Sequence, residues 1–157
     1  MRIGSGRFTG RQLHTPRGLT TRPTSGRLKK SLFDTLATEL ESARVLELFA
    51  GAGALGIEAL SRGAAFVLFV ERSRQAVEAI RTNLMELELE VQAGIVKKEV
   101  LSALLLLADK KEEFDIVVLD PPYRARSEGV ILNALDSKGL VVGGGLVVVE
   151  HHHKTEL

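Results

Sequence analysis

Asp120-Pro121-Pro122-Tyr123 brings together a carboxylate, a stiff turn that exposes its carbonyls, and an aromatic ring. The run follows Phe114-Asp115-Ile116-Val117-Val118-Leu119, an apolar stretch rich in β-branched residues that reads as a buried parallel strand. Open α/β sheets bind ligands at the carboxyl ends of their strands. The chemistry that suits these groups is transfer to a planar exocyclic amine, whose nitrogen is a poor nucleophile because its lone pair is delocalised into the ring. The Asp120 side chain and the Pro121 carbonyl can accept its two hydrogens and draw the lone pair out of conjugation. A stacked Tyr123 would hold the base flat. The plainer reading is a Pro-Pro turn that ends a strand, with Asp120 serving local N–H groups.

A second motif lies upstream. Val45-Leu46-Glu47-Leu48-Phe49-Ala50-Gly51-Ala52-Gly53-Ala54-Leu55-Gly56 reads as a short buried strand, a glycine turn and a helix start. Gly51, Gly53 and Gly56 have the spacing that lets backbone approach a nucleotide-like ligand. Glu47 lies in the strand end, where it could receive an ammonium group. Glu71 ends the next apolar strand, Phe66-Val67-Leu68-Phe69-Val70, about 20 residues past the first glycine, as expected of an acid that accepts ribose hydroxyls. A dinucleotide would place its pyrophosphate on the helix N-terminus, and Glu47 would repel it. A ligand with a ribose, an amino-acid ammonium and no phosphate is S-adenosylmethionine, whose product is S-adenosylhomocysteine. The residues expected around it are Glu47, Phe49, Ala50, Gly51, Ala52, Gly53, Glu71 and Arg72. The plainer alternatives are a surface acid at Glu47 and a helix approach at Glu71.

The elements that must position these motifs alternate along the chain. The spacing predicts helices over Ser25–Leu40, Ala54–Arg62, Arg74–Leu87, Glu99–Lys110 and Glu128–Asp136. It predicts strands over Arg44–Phe49, Phe66–Glu71, Val91–Val96, Asp115–Asp120 and Gly145–Glu150. Alternation implies right-handed crossovers and a mainly parallel α/β sheet with helices on both faces, in the order 3-2-1-4-5. A chain of 157 residues, 45% hydrophobic, is long enough for one such core. It has no cysteine, which excludes disulfides and thiolate metal sites. It has no apolar run of membrane-spanning length and no signal core, so a cytoplasmic protein that binds no membrane and no metal is expected. His151-His152-His153 invites a metal reading, but adjacent side chains on a strand point to opposite faces, so an exposed chain end is expected.

Net charge is +1, yet residues 1–30 carry +8 and no acid, which leaves −7 on the rest. A basic segment on an acidic body suits a polyanionic partner. Arg7, Arg11, Arg22 and Arg27 are the expected phosphate contacts, because a guanidinium can fork onto phosphate and stack on bases. Ile3, Phe8 and Leu13, punctuated by glycines, suggest a small hairpin. The expected division is a basic arm over residues 1–24 and a catalytic domain over 25–157.

Taken together, these residues resemble the bacterial 16S ribosomal RNA guanine-N2 methyltransferases of the RsmD type. The resemblance runs through Arg2-Ile3-Gly4-Ser5-Gly6-Arg7-Phe8-Thr9-Gly10-Arg11, Thr15-Pro16-Arg17-Gly18-Leu19, Arg22-Pro23-Thr24-Ser25 and Leu32-Phe33. It continues through the block from Leu48 to Gly63 and Asp120-Pro121-Pro122-Tyr123. It implies a Rossmann-like class I fold, S-adenosylmethionine as donor, and a guanine N2 amine of small-subunit rRNA, free or in an assembling particle, as acceptor. It also implies an adenine contact near Glu99, where the family usually has Asp or Asn. Further departures are Gly26 and Lys30, where acids are usual, and an apparently missing terminal strand pair. A monomer is expected. The alternatives are another amino-methyltransferase, acting on DNA adenine or protein glutamine, and a non-catalytic RNA-binding or assembly protein that keeps the fold. The short arm leaves no room for a separate target-recognition domain.

Overall fold

The computed structural model describes residues 1–16, 26–121 and 127–150, with side chains in the first helix described from Lys29 onward. Five parallel strands form one sheet: β1 (Arg44–Leu48), β2 (Phe66–Val70), β3 (Ala93–Val96), β4 (Phe114–Leu119) and β5 (Val141–Val149). Their order is β3-β2-β1-β4-β5, as the alternation predicts. β1, β2 and β4 are the central strands. They are almost wholly buried, which is why they read as continuous Val, Leu, Ile and Phe rather than as alternating runs.

Strand parity divides the core into two layers. Val45, Val67, Phe69, Ile116 and Val118 face one side, against α1 (Gly26–Thr35), α2 (Ala37–Leu40), α3 (Ala54–Ser61) and α4 (Arg74–Glu86). Leu46, Leu48, Leu68, Val70, Val117 and Leu119 face the other, against α5 (Val100–Asp109) and α6 (Glu128–Ser137). Among the described residues no helix is long and apolar enough to cross a membrane.

Three elements differ from the sequence expectation, the first being β3, which starts at Ala93 rather than Val91 because Glu90–Gln92 form a 3-10 turn. The single helix expected to Leu40 is broken at Leu36 (φ −88°, ψ 5°). Just before the break, the Thr35 hydroxyl donates to the Ser31 carbonyl at 3.0 Å, a local bond that bends helices. β5 begins at Val141, before the three glycines, and not at Gly145, the last of them. The register jumps from Phe114↔Val141 to Ile116↔Leu146, so the glycines form a bulge. Gly144 takes φ +80°, and a Cβ on Gly145 would lie 2.7 Å from Val141 Cγ1 and 2.9 Å from the Asp115 carbonyl oxygen. Glycine is what lets this strand pass the obstruction.

The N-terminal segment is docked. Arg2 and Gln12 form an antiparallel bridge, and Ile3 and Leu13 are buried in the first core layer. Ser61 accepts from the Arg7 and Phe8 N–H groups, through its carbonyl and hydroxyl respectively. Its hydroxyl donates to the Ser5 carbonyl at 2.7 Å.

Beneath this segment lies a buried ion network that joins it to α1 and α3. Glu58, fully buried, accepts from the Gly4 N–H at 2.8 Å, pairs with Lys29 at 3.1 Å and with Arg62 at 3.0 Å. Lys29 also donates to the Arg2 carbonyl. Arg62 reaches Asp34 at 3.1 Å, with its guanidinium over the Phe33 ring. Burial pushes the Glu58 pKa up, but the Gly4 N–H, Arg62 and Lys29 outweigh it, so the carboxyl stays below its ordinary value.

Removing one member of a buried ion pair strands its partners. Glu58→Ala is therefore expected to cost about 3–5 kcal/mol in urea unfolding. A loss below about 1 kcal/mol would mean that the network contributes little.

Candidate active site

The carboxyl ends of β1, β2, β4 and β5 converge, and parity puts an acid at each on the same face. Glu47 pairs in register with Phe69 and Val118, which face the first layer. Glu71 and Asp120 follow those two partners by two residues, and Glu150 follows Val148 by two. The ladder continues just past the strands: the Glu71 N–H donates to the Val96 carbonyl and the Glu150 N–H to the Leu119 carbonyl.

Glu47 lies beneath the glycine turn at 4% exposure. Gly53 begins α3 but has no side chain with which to cap it. Glu47 takes over that work from the neighbouring strand. Its Oε2 accepts from the Gly56 N–H at 2.8 Å, and its carboxyl also accepts from the Leu55 N–H. These are the groups an N-cap would satisfy. Gly56 is needed for this packing, since a Cβ there would lie 2.4 Å from Phe69, 2.6 Å from Glu47 and 2.7 Å from Val67. Burial pushes the Glu47 pKa up to about 8; the two N–H groups oppose the rise, and the Asp120 and Glu71 charges add to it.

Glu71 holds the other end of the turn. Its Oε2 accepts from the Gly51 N–H and its Oε1 from the Ser73 N–H, both at 2.8 Å. Each oxygen retains a lone pair for a further donor. Phe49, Gly51 and Gly53 all take positive φ, which folds the backbone back over the strand ends. Ala50, Gly51, Ala52 and Gly53 are buried and Phe49 is half-buried. Arg72 is exposed beside Glu71. Glu99, also exposed, caps α5: its Oε2 accepts from Leu101 N–H at 2.9 Å and Ser102 N–H at 3.4 Å.

Asp120 ends β4 and Pro121 is buried behind it. No donor among the described residues reaches the Asp120 carboxylate. Burial raises its pKa to about 6, helped by the Glu150 charge. Pro122 and Tyr123 lie outside the described residues.

Of the expected phosphate contacts, Arg7 and Arg11 are exposed. The Arg7 guanidinium lies 4.6 Å from the centre of the Phe8 ring, and Arg11 donates to the Glu86 carbonyl at 3.3 Å. Arg11 and His14 line a groove of about 660 Å³ with Met1, Gln12, Leu13, Thr15 and Glu86. His14 contacts the Glu86 carboxylate at 2.9 Å. Arg22 and the Arg27 side chain lie outside the described residues.

Asn83 on α4 is a residue that the sequence reading missed. Its Oδ1 accepts from the His14 N–H, and its Nδ2 donates to the His14 and Ala52 carbonyls. One buried amide therefore ties the N-terminal segment to the glycine turn. A polar residue on the apolar stripe of α4, between Ile80 and Leu84, was the available signal.

A family model described as conserved hypothetical protein 95 matches residues 1–157. The chain belongs to that family, the RsmD family of S-adenosylmethionine-dependent rRNA methyltransferases. It is 37% identical over 157 residues to YlbH of Bacillus subtilis (strain 168), covering 100% of this chain and 85% of that one. It is 36% identical over 150 residues to the ribosomal RNA small subunit methyltransferase D of Escherichia coli (strain K12), covering 96% of this chain and 74% of that one. Its fold is similar to that of yhhF from Escherichia coli, with a TM-score of 0.86, 35% identity, and coverage of 100% of this chain and 85% of that one. A hypothetical protein of Thermus thermophilus is similar at a TM-score of 0.88 and 33% identity, over 100% of this chain and 89% of that one.

The donor set fits the family's cofactor. Glu47, Glu71 and Asp120 have no Lys or Arg partner among the described residues, so the crevice favours a cation and repels phosphate.

Folding raises the Glu47 pKa, so the native state holds an extra proton between about pH 4.5 and 8. Stability from this group therefore falls as pH rises through that window. A cation bound beside Glu47 would restore the charged form. S-adenosylmethionine binding at pH 7 is expected to release about one proton. Titration calorimetry in two buffers of different ionisation enthalpy reads this directly, and Glu47→Gln should abolish most of it. No release from the unsubstituted protein would detach Glu47 from the ligand.

Proposed function

We propose that this protein methylates the exocyclic N2 amine of a guanine in small-subunit ribosomal RNA, with Asp120 and the Pro121 carbonyl holding the amine. The observation that carries the reading is the Asp120 carboxylate. It is partly buried at the strand end beside the glycine turn, and no described donor occupies it. S-adenosylmethionine, when bound, supplies an electrophilic methyl group. The relative in Escherichia coli named for small-subunit rRNA supports the choice of acceptor.

The protein's own work is positioning and electrostatics. Glu71 would offer its remaining lone pairs to ribose hydroxyls, and Glu47 would offer its charge to the ammonium end of the ligand. Asp120 accepts one amine hydrogen and Pro121 the other. That arrangement turns the nitrogen lone pair out of the ring plane and steadies the positive charge that grows on nitrogen. Tyr123 stacks on the base, which must leave its helix to reach this turn. Arg7, Arg11, Arg22 and Arg27 contact phosphates, and the groove beside Arg11 and His14 extends that surface. The RNA is bound free or within an assembling particle.

Asp120→Ala is expected to lower single-turnover methyl transfer at least about a hundredfold, with little change in S-adenosylmethionine affinity. Tyr123→Phe should be mild and Tyr123→Ala severe, because the ring is what acts. Near-normal turnover in Asp120→Ala would leave the turn a purely structural feature.

RNA affinity should fall steeply with salt. Replacing Arg7 or Arg11 with Gln is expected to make the log–log slope shallower by about 0.7–0.9. An unchanged slope would remove that arginine from the phosphate contacts.

A further inference from the structure

We infer that Glu150 is a positioning residue for Asp120, and that the two carboxyl groups act as one proton acceptor for the amine that is methylated. The inference rests on the acceptor chemistry proposed above, and it assigns a role to a residue at the end of β5 that neither motif contains.

The geometry comes from the register. Leu119 pairs with Val149, and the Glu150 N–H bonds the Leu119 carbonyl at 2.9 Å, so the two strands remain paired up to this point. In a parallel pair, residues in register carry their side chains on the same face. Asp120 and Glu150 are the next such pair, on the face to which Val118 and Val148 belong. Among the described residues no strand flanks β5 on its far side, and Asp120 has Glu150 on one flank and, diagonally on β1, Glu47 on the other.

These are the charged groups that act on the site from the strands beside it. Glu150 raises the proton affinity of Asp120, and Asp120 in turn raises that of Glu47. Glu71 on β2 acts on Glu47. Arg124 and Arg126 follow in sequence, outside the described residues.

The reaction needs a proton acceptor. An amine that gains a methyl group must lose a proton to end neutral. The N–H bond breaks, its electron pair returns to nitrogen, and the proton moves to the carboxylate that already accepts that hydrogen. An ordinary aspartate is a weak base at neutral pH. Asp120, at about 6, is still ionised at pH 7 yet binds a proton more strongly, which is the compromise a general base requires. Glu150 supplies part of that strength through its charge and need not touch the substrate.

Asp120 carries a raised pKa, so its active, ionised form is lost as pH falls through about 6. Two measurements test the inference, each with Glu150→Gln and Glu150→Asp. The first is a carbon-detected NMR titration of the Asp120 carboxyl in the free protein, assigned with Asp120→Asn. Its midpoint should move down by roughly one pH unit in Glu150→Gln and return in Glu150→Asp. The second is single-turnover methyl transfer to small-subunit rRNA against pH at saturating donor. Its acid limb should move by the same amount, with a several-fold lower plateau rate in Glu150→Gln.

An unmoved NMR midpoint overturns the pairing of the two groups. A moved midpoint with an unmoved acid limb overturns their action as proton acceptor. If the unsubstituted protein transfers no methyl to guanine N2, the substrate reading fails instead, and the NMR result still decides the pairing.

Discussion

The hydrogen bonds from the Leu55 and Gly56 N–H groups to the Glu47 carboxyl hold the site together. They cross from α3 to β1 beneath the glycine turn, so the turn is gripped from below. Glu71 grips it from the β2 side, and Asn83 from the α4 side through the Ala52 carbonyl. None of these anchors comes from the turn itself. Its glycines are there to let the anchors approach: a side chain on Gly56 would occupy the space of both Glu47 and Phe69. Remove the Glu47 contact and the start of α3 loses its cap in a place water cannot reach, where an orphaned N–H is most costly.

The same parity that buries the sheet creates the chemistry. A buried strand has two apolar faces, and its first residue beyond the core inherits one of them. Four strands that end on an acid in the same parity therefore deliver four carboxyl groups to one crevice. Their mutual repulsion costs stability. Burial, with that repulsion adding to it, raises the proton affinities of Glu47 and Asp120, whereas Glu58, buried on the same side of the sheet, stays below its ordinary value because the Gly4 N–H, Arg62 and Lys29 hold its charge. The contrast separates the two kinds of buried acid in this molecule. One is paired within the protein and serves the fold, while the others lack a described cationic partner.

Sequence order and strand parity made the sheet legible. Continuous Val, Ile, Leu and Phe runs marked β1, β2 and β4, and the alternation with amphipathic helices marked a parallel sheet with crossovers. The hidden features depend on contacts between distant residues. Glu47 was legible as a strand-end acid but not as the cap of α3, because the capping position, Gly53, lies six residues away on another element. Asn83 looked like a polar interruption until its three partners, from two segments, were in place. Glu58 and Arg62 follow the local i, i+4 pattern, but no local pattern marks Lys29 as their partner. The start of β5 at Val141 was hidden by the glycines that follow it, and only the register with β4 reveals that they form a bulge. Glu150 was passed over for a related reason: its importance lies in the residue beside it on β4.

On the proposed chemistry, the acid face explains how one site can suit both the beginning and the end of the reaction. At the start the ionised carboxylates would stabilise a ligand that carries positive charge on sulfur and on its ammonium group. The positive charge that would develop on the amine nitrogen lies, on this reading, next to Asp120. When the proton passes to the Asp120–Glu150 pair, the crevice becomes one charge less negative as its ligand becomes one charge less positive. The electrostatic match would be kept on both sides of the step. A lysine or arginine in place of any of these acids would break the match, since it would oppose the cation that the other carboxylates attract.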